Sequence, residues 1–333
     1  MEKRQILLVC HAGSSAGLGH LSRLLALAQS LRQSDNFRIE FLIFGDNFKK
    51  EELEFFKIHR LPISSDFENS LKKIIKKLSP SMVVLDLYPK LLSPNLETLF
   101  TWIKEKEIGL VGIDSLVNYI SFLDLIWMPT FSFNSKNTLE YKEKLISGWD
   151  TLLIQKRLPT REWRAGVRVL VLTGGSDTTK LGKNLPTILD GMLRSDSVID
   201  WVQGPFSESP NIPSKCRLIW NVHNAPSQLD KLIVESDYAI TVFGISFFEV
   251  LQYGVPTVVF SPYGNKDNSE LESLSKEGVA MVASNPEFAV ERLVEIMNND
   301  GLAKEYSEKA LKKISINGAQ NLSNKIHSLM EFA

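Results

Sequence analysis

Short apolar runs alternate with amphipathic stretches through most of this chain, and near its middle the alternation starts again. Gln5-Ile-Leu-Leu-Val-Cys10 has the length and composition of a buried parallel strand. Leu21, Leu24, Leu25, Ala28 and Leu31 then recur at helical spacing and give the next stretch one apolar face. Between strand and helix lies a loop of small residues, His11-Ala-Gly-Ser-Ser-Ala-Gly17, which runs into Gly17-Leu-Gly-His-Leu-Ser-Arg23. About half a chain later the unit recurs. Val167–Leu172 reads as a strand, Thr173-Gly-Gly-Ser-Asp177 as a second glycine turn, and Leu181–Leu193 as a helix. Strands alternating with helices require a parallel sheet covered on both faces, so the pattern predicts an α/β protein of two similar domains.

The remaining elements follow the same rule. In the first half, strands are expected at Arg38–Phe44, Ser81–Leu85, Gly109–Ile113 and, last, Leu123–Met128. Helices are expected at Lys49–His59, Phe67–Leu78 and Asn95–Lys106. In the second half, strands are expected at Val198–Gln203, Cys216–Trp220, Tyr238–Val242, Thr257–Phe260 and Val279–Val282. Helices fall at Ser227–Glu235, Ser246–Tyr253, Asn268–Lys276, Pro286–Asn298, Gly301–Ile314 and Gly318–Met330. The polar, proline-containing Gln155–Arg161 serves as the hinge, which divides the chain into 1–158 and 159–333, with the closing helix a candidate to return to the first domain.

Composition narrows the function classes. The chain has 333 residues, 44% hydrophobic and 23% charged, and a formal net charge of −1 without a basic block, so a nucleic-acid partner has no electrostatic footprint. No apolar run approaches the roughly 20 residues that span a bilayer. Met-Glu-Lys-Arg leads into an apolar run too short for a signal-peptide core, so a cytoplasmic location is expected. Cys10 and Cys216 make neither a disulfide framework nor a zinc site, and both read as small core residues; no metal and no cofactor is expected.

In open parallel sheets ligands bind beyond the carboxyl ends of the strands. The candidates are therefore His11 to His20, Asp46, Asp86, Asp114, Gly174 to Asp177 and Phe243 to Ser246. His20 sits at a helix start, where the dipole favours a neutral imidazole able to accept a proton; it equally well caps a tight turn. Aspartates at strand ends are also common turn formers, and Asp46 reads best that way. Gly244 before a helix start lets backbone amides meet a phosphate, and Glu249 one turn in could reach ribose hydroxyls. Ser246-Phe-Phe-Glu249 also fits a capping box, as does Ser269-Glu-Leu-Glu272.

Gly17-Leu-Gly-His-Leu-Ser-Arg23, Gly174-Gly-Ser-Asp177 and Gly244-Ile-Ser-Phe-Phe-Glu249 followed by Gly254-Val-Pro256 stand in the order seen in GT-B-fold enzymes of nucleotide sugars. The pattern most resembles the UDP-sugar hydrolase of the pseudaminic acid route, a relative of the MurG-type glycosyltransferases. The resemblance implies two Rossmann-like domains facing a central cleft, the first on the sugar or acceptor side and the second holding the nucleotide. It implies catalytic roles for His20, Asp86 and Asp114. Gly17, Gly19, Arg23, Gly174, Gly175, Ser176, Gly244, Ile245, Ser246, Glu249, Asn265 and Asn268 become the substrate- and nucleotide-binding candidates. The chain departs from that family at His11-Ala12, where an arginine-aspartate pair is usual. It departs again at Asn265-Lys266 in place of Asn-Gln, and at Asn317-Gly-Ala-Gln320 in place of Asp-Gly-x-Gly-Ala. Hydrolysis of a UDP-sugar in surface-glycan biosynthesis is the leading expectation. Transfer of the sugar to an acceptor, and nucleotide-sugar binding without turnover, are the alternatives.

Overall fold

The structure, a computed structural model, describes residues 3–92, 96–133, 141–314 and 317–331. It divides into two compact units, one formed by residues up to Ile154 with the C-terminal helix and the other by Gln155–Ile314.

The first unit is built on β1 (Arg4–Ala12), β2 (Phe37–Gly45), β3 (Lys57–Leu61), β4 (Met82–Asp86), β5 (Gly109–Ile113), β6 (Leu125–Met128) and β7 (Leu145–Ser147), with α1 (Gly19–Arg32), α2 (Phe67–Leu78) and α3 (Leu96–Lys104) between them. Every strand pair is parallel, in the order β3-β2-β1-β4-β5-β6-β7. Both faces are buried, which is why β1 reads as a continuous apolar run. Ile6, Leu8 and Cys10 pack with Leu21 and Leu24 of α1, while Leu7 and Val9 pack with Leu71 of α2 and Leu99 of α3.

The second unit holds β8 (Arg168–Leu172), β9 (Val198–Gln203), β10 (Ile219–Asn224), β11 (Tyr238–Val242), β12 (Thr257–Phe260) and β13 (Met281–Ala283), again all parallel, in the order β10-β9-β8-β11-β12-β13. Helices α4 (Leu185–Met192), α5 (Leu229–Glu235), α6 (Ile245–Leu251), α7 (Asn268–Glu277), α8 (Pro286–Met297) and α9 (Asp300–Lys313) cross over between and beyond them. In each unit the order of the strands reverses beside the first strand, at β1/β4 and at β8/β11. Those two crevices are where ligands of such sheets bind.

The chain's last helix, α10 (Gly318–Glu331), packs in the first unit against α1. Leu322 and Ile326 are fully buried there, His327 lies with its ring centroid 4.3 Å from that of Phe37, and its Nε2 is 2.9 Å from Ser34 Oγ.

Four local expectations give way to the tertiary structure. Residues expected in a helix at Lys49–His59 form a short 3-10 turn, Glu51–Phe55, and then β3. The strand wins because Lys57 and His59 reach Glu40, buried on β2: His59 Nε2 lies 2.7 Å from its carboxylate. The strand expected at Cys216–Trp220 is displaced to Ile219–Asn224, where Asn221 and His223 reach the buried Asp200 of β9, and Cys216 is left exposed rather than in the core. Strand β7 lies beyond the last strand expected in the first half. Finally, α6 starts at Ile245 and α7 at Asn268 with no side-chain cap on either, so neither capping box forms.

Removing a buried leucine of α10 should therefore be felt in the first unit. Leu322→Ala is expected to cost about 2–5 kcal/mol. Amide exchange should accelerate in α1 and β1 and stay unchanged in α8 and β11. Equal acceleration in both units would contradict this assignment of α10.

Candidate active site

The β1/β4 crevice collects His20, Arg23, Asp86 and Asp114. Asp86 ends β4, and its side chain is completely buried. Arg23, one helical turn beyond His20 on α1, donates from Nε to Asp86 Oδ2 and from one terminal nitrogen to Oδ1, both at 2.7 Å. This is the fork-on-fork geometry that makes Arg–carboxylate pairs strong. Its other terminal nitrogen donates to Asp114 Oδ2 at 2.9 Å, just past β5. Burial alone would push the Asp86 carboxyl up; the Arg23 charge and the hydrogen bonds from Arg23 and His20 outweigh it and hold Asp86 below the ordinary carboxylate range. Burial likewise works against the Arg23 charge, and Asp86 and Asp114 reverse that effect. Asp114 adopts the left-handed region at φ 58°, a conformation aspartate tolerates better than most residues.

His20 stands in the first turn of α1 with Nδ1 2.7 Å from Asp86 Oδ1. A terminal nitrogen of Arg23 is also 3.0 Å from Nδ1. The ionised carboxylate can only accept, so the network assigns the hydrogen to Nδ1, with Arg23 spending its own hydrogens on Asp86. The neutral ring then carries a lone pair on Nε2. The ring of Tyr88 stands edge-on to His20, centroids 6.0 Å apart.

The glycine loop ahead of α1 has its own supports. Gly13 and Gly17 exchange main-chain hydrogen bonds of 3.0 and 2.8 Å. Asp46 Oδ2 accepts from Ser14 N–H at 2.6 Å and from Ser14 Oγ at 2.7 Å, so Asp46 is a loop tie, as its turn reading predicts. Gly45 before it cannot be replaced without movement, because a Cβ there would fall 1.7 Å from the Ala12 carbonyl oxygen. Around Gly17 and Gly19 a Cβ would meet nothing within 4 Å, so backbone is open at this point of the loop.

Tyr88, which the motif reading did not single out, and His11, the first of the strand-end candidates, complete the crevice. Tyr88 follows Asp86 in the same loop, and its N–H donates to His11 Nδ1 at 3.1 Å. His11 is 3% exposed, and burial, reinforced by the neighbouring His20, pushes its imidazole down to about 4. Tyr88 carries no sequence signal beyond its place after a strand-ending aspartate.

In the second unit, the β8/β11 crevice brings together the loops Thr173–Asp177 and Phe243–Ser246. Gly174 takes φ +89°, and a Cβ on it would lie 3.9 Å from Val242, the last residue of β11. Asp177 is spent on the turn that follows, accepting from Leu181 N–H at 2.9 Å and Gly182 N–H at 2.8 Å. Thr178 Oγ1 lies 2.9 Å from the Tyr263 hydroxyl, which ties this loop to the one after β12. There Asn268 Nδ2 donates to Asn265 Oδ1 at 3.2 Å, so these two candidates meet each other. Gly244 has open space where a side chain would be; Ile245, Ser246 and half-buried Glu249 follow it in α6. Among the described residues no group of three or more His, Cys, Asp or Glu is placed to hold a metal ion, and no helix is long and apolar enough to cross a membrane.

No family model matches the chain. By sequence it is 26% identical over 277 residues to an uncharacterized protein of Methanocaldococcus jannaschii, a match covering 77% of this chain and 55% of that protein, so the chain spans about half the length of this curated relative. Among solved structures it is similar to Acinetobacter baumannii MurG, with a TM-score of 0.66 at 16% identity over 98% of this chain and 99% of that one. It is similar to CalG4, the calicheamicin glycosyltransferase, with a TM-score of 0.67 at 13% identity over 99% of each chain. A third is UDP-GlcNAc 2-epimerase from Neisseria meningitidis bound to UDP-GlcNAc, with a TM-score of 0.63 at 14% identity over 97% and 100%. The fold is GT-B.

The pH dependence of stability separates two of these groups. The unfolded chain protonates His11 near its ordinary 6.5 while the folded chain keeps it neutral to about 4, so stability should fall between those values, by up to about 3 kcal/mol. The Asp86 contribution is present above the ordinary carboxylate value of 3.8 and is lost only below it. Arg23→Met strands a buried carboxylate and should cost about 3–5 kcal/mol near neutral pH. That deficit should shrink as the pH falls, first as the stranded carboxyl, pushed up by burial, takes up a proton in the folded variant, and then below about 3.8 as the wild-type Asp86 contribution is lost. Urea titrations from pH 7 to 3 read both effects; a deficit that stays constant with pH would show that Arg23 does not act through the Asp86 charge.

Proposed function

We propose that this chain is an enzyme that breaks the bond between the anomeric carbon and the diphosphate oxygen of a nucleotide sugar, UDP-sugars being the first choice. The observation that carries this reading is the His20–Asp86 pair, held by Arg23 in the crevice where sheets of this type bind ligands. In the neutral ring that pairing leaves Nε2 of His20 as the proton acceptor of this proposal. His20 then takes a proton from the incoming oxygen nucleophile, which bonds to the anomeric carbon as the diphosphate leaves with the electron pair. Asp86 fixes the tautomer and offsets the charge that builds on the imidazole. Asp114, the partner of Arg23, orients the sugar in this reading.

The second unit holds the nucleotide in this proposal. Backbone amides of Gly174–Ser176 and Gly244–Ser246 meet the phosphates, and Glu249 binds the ribose.

The nucleophile's oxygen distinguishes two outcomes of the same chemistry. Resemblance to the pseudaminic-acid-route hydrolase points to water. The names of two solved neighbours, MurG and a glycosyltransferase, support an acceptor hydroxyl at least as well. Incubation with UDP-, GDP- and CMP-sugars, with and without acceptor, decides between them: release of free sugar without acceptor marks the hydrolase. No turnover of any donor under either condition would remove the enzyme reading.

His20→Asn should lower turnover by about 10²–10⁴-fold while UDP binds as before. Full activity in this variant would exclude His20 as the base. Glu249→Ala should weaken UDP binding in a calorimetric titration, whatever it also costs in melting temperature. Unchanged affinity would take Glu249 out of the nucleotide site.

A further inference from the structure

His11 stands where the resembling family has another residue, and its surroundings give it a task. Strands β1 and β4 pair from Ile6 opposite Met82 to Cys10 opposite Asp86, and that ladder ends there. Strand β1 goes on pairing with β2, His11 opposite Phe44, while β4 turns into the loop bearing Tyr88. The Tyr88 N–H therefore lies beyond the ladder, and the His11 imidazole supplies its acceptor, Nδ1, at 3.1 Å. A neutral imidazole that accepts at Nδ1 carries its hydrogen on Nε2.

The ring is in no position to swing. It is 3% exposed, with the rings of Phe44 and Phe67 packed at centroid distances of 5.9 and 5.8 Å. The loop it anchors bears on His20 at two points. Asp86, just before Leu87 and Tyr88, takes the Nδ1 hydrogen of His20, and the Tyr88 ring stands edge-on to the same imidazole.

We infer that His11 is a positioning residue for the His20–Asp86 pair: it replaces the missing strand partner of the Tyr88 N–H and so locks the loop that sets the tautomer and direction of His20. The inference rests on the reading of His20 as the base, and it concerns the acceptor atom rather than the bulk of the ring. A side chain that merely filled the space between Phe44 and Phe67 would be replaced by phenylalanine without effect.

His11→Phe keeps aromatic packing and removes the acceptor; His11→Asn places Oδ1 near the position of Nδ1 and keeps it. In the isotope-labelled full-length protein without ligand, His11→Phe should speed exchange of the Tyr88 amide by about tenfold or more. It should also shift the His20 ring nitrogens from the Nδ1–H form toward a mixture of tautomers. His11→Asn should restore both signals toward wild type, and UDP should bind all three proteins alike. Unchanged Tyr88 exchange and His20 signals in His11→Phe would overturn the inference. So would a His11→Asn variant as perturbed as His11→Phe, or a parallel loss of UDP affinity. Should His11→Phe fail to fold, a scalar coupling across the N–H···N bond from Tyr88 to His11 in the wild-type protein decides, and its absence refutes the role. None of these signals requires turnover, so failure to find a processed sugar would sink the function and leave them intact.

Discussion

A carboxylate with no exposure to water is held ionised at the end of β4, and the arrangement of the first unit's crevice depends on it. An isolated buried charge of this kind is too costly to survive. Arg23 compensates it with two hydrogen bonds, His20 adds a third, and Asp114 takes up the remaining reach of the guanidinium. One constraint therefore fixes three side chains, two on α1 and one just past β5. It also explains the spacing in Gly-x-Gly-His-x-x-Arg: His20 and Arg23 lie three residues apart, on one face of α1, and both can meet a single carboxylate.

The same logic divides the candidate residues into those that hold the loops and those left to act. Asp46 and Asp177 accept two hydrogen bonds each from the loops they follow or precede. Asn265 and Asn268 bond to each other. The backbone around Gly17, Gly19 and Gly244 has room for a close approach that a side chain would obstruct. These open glycines lie beside the two points where strand order reverses, which is where a sheet of this topology offers main-chain groups to a ligand.

Sequence reading succeeded where local pattern and burial agree. The apolar run of β1, the face of α1 and the strands β5, β9, β11 and β12 are visible because a strand covered on both sides must be apolar throughout. It failed at edges. Lys57-Ile-His-Arg-Leu61 has no apolar alternation, since its polar side chains answer the buried Glu40 on the neighbouring strand. Ile219–Asn224 is set in place by Asp200 in the same way. The capping boxes failed for the opposite reason: the local motif is present, but each helix starts two residues before the point where that motif requires it, with Gly244 and Asp267 in place of Ser246 and Ser269 as N-caps.

By itself, then, the sequence determined an α/β chain of two parallel-sheet units with glycine loops at matching positions, because those features are written in residues close to one another. Only the tertiary structure decided that Asp86, rather than Asp114, is the residue His20 contacts, that Tyr88 and His11 stand behind that pair, and that α10 completes the first unit. Those contacts join residues as far apart as 66 and 77 positions in the chain. Hydrogen bonds of that span leave no period and no spacing in the sequence; they exist only once the parallel ladder has set β1 beside β4 and the ends of the strands side by side.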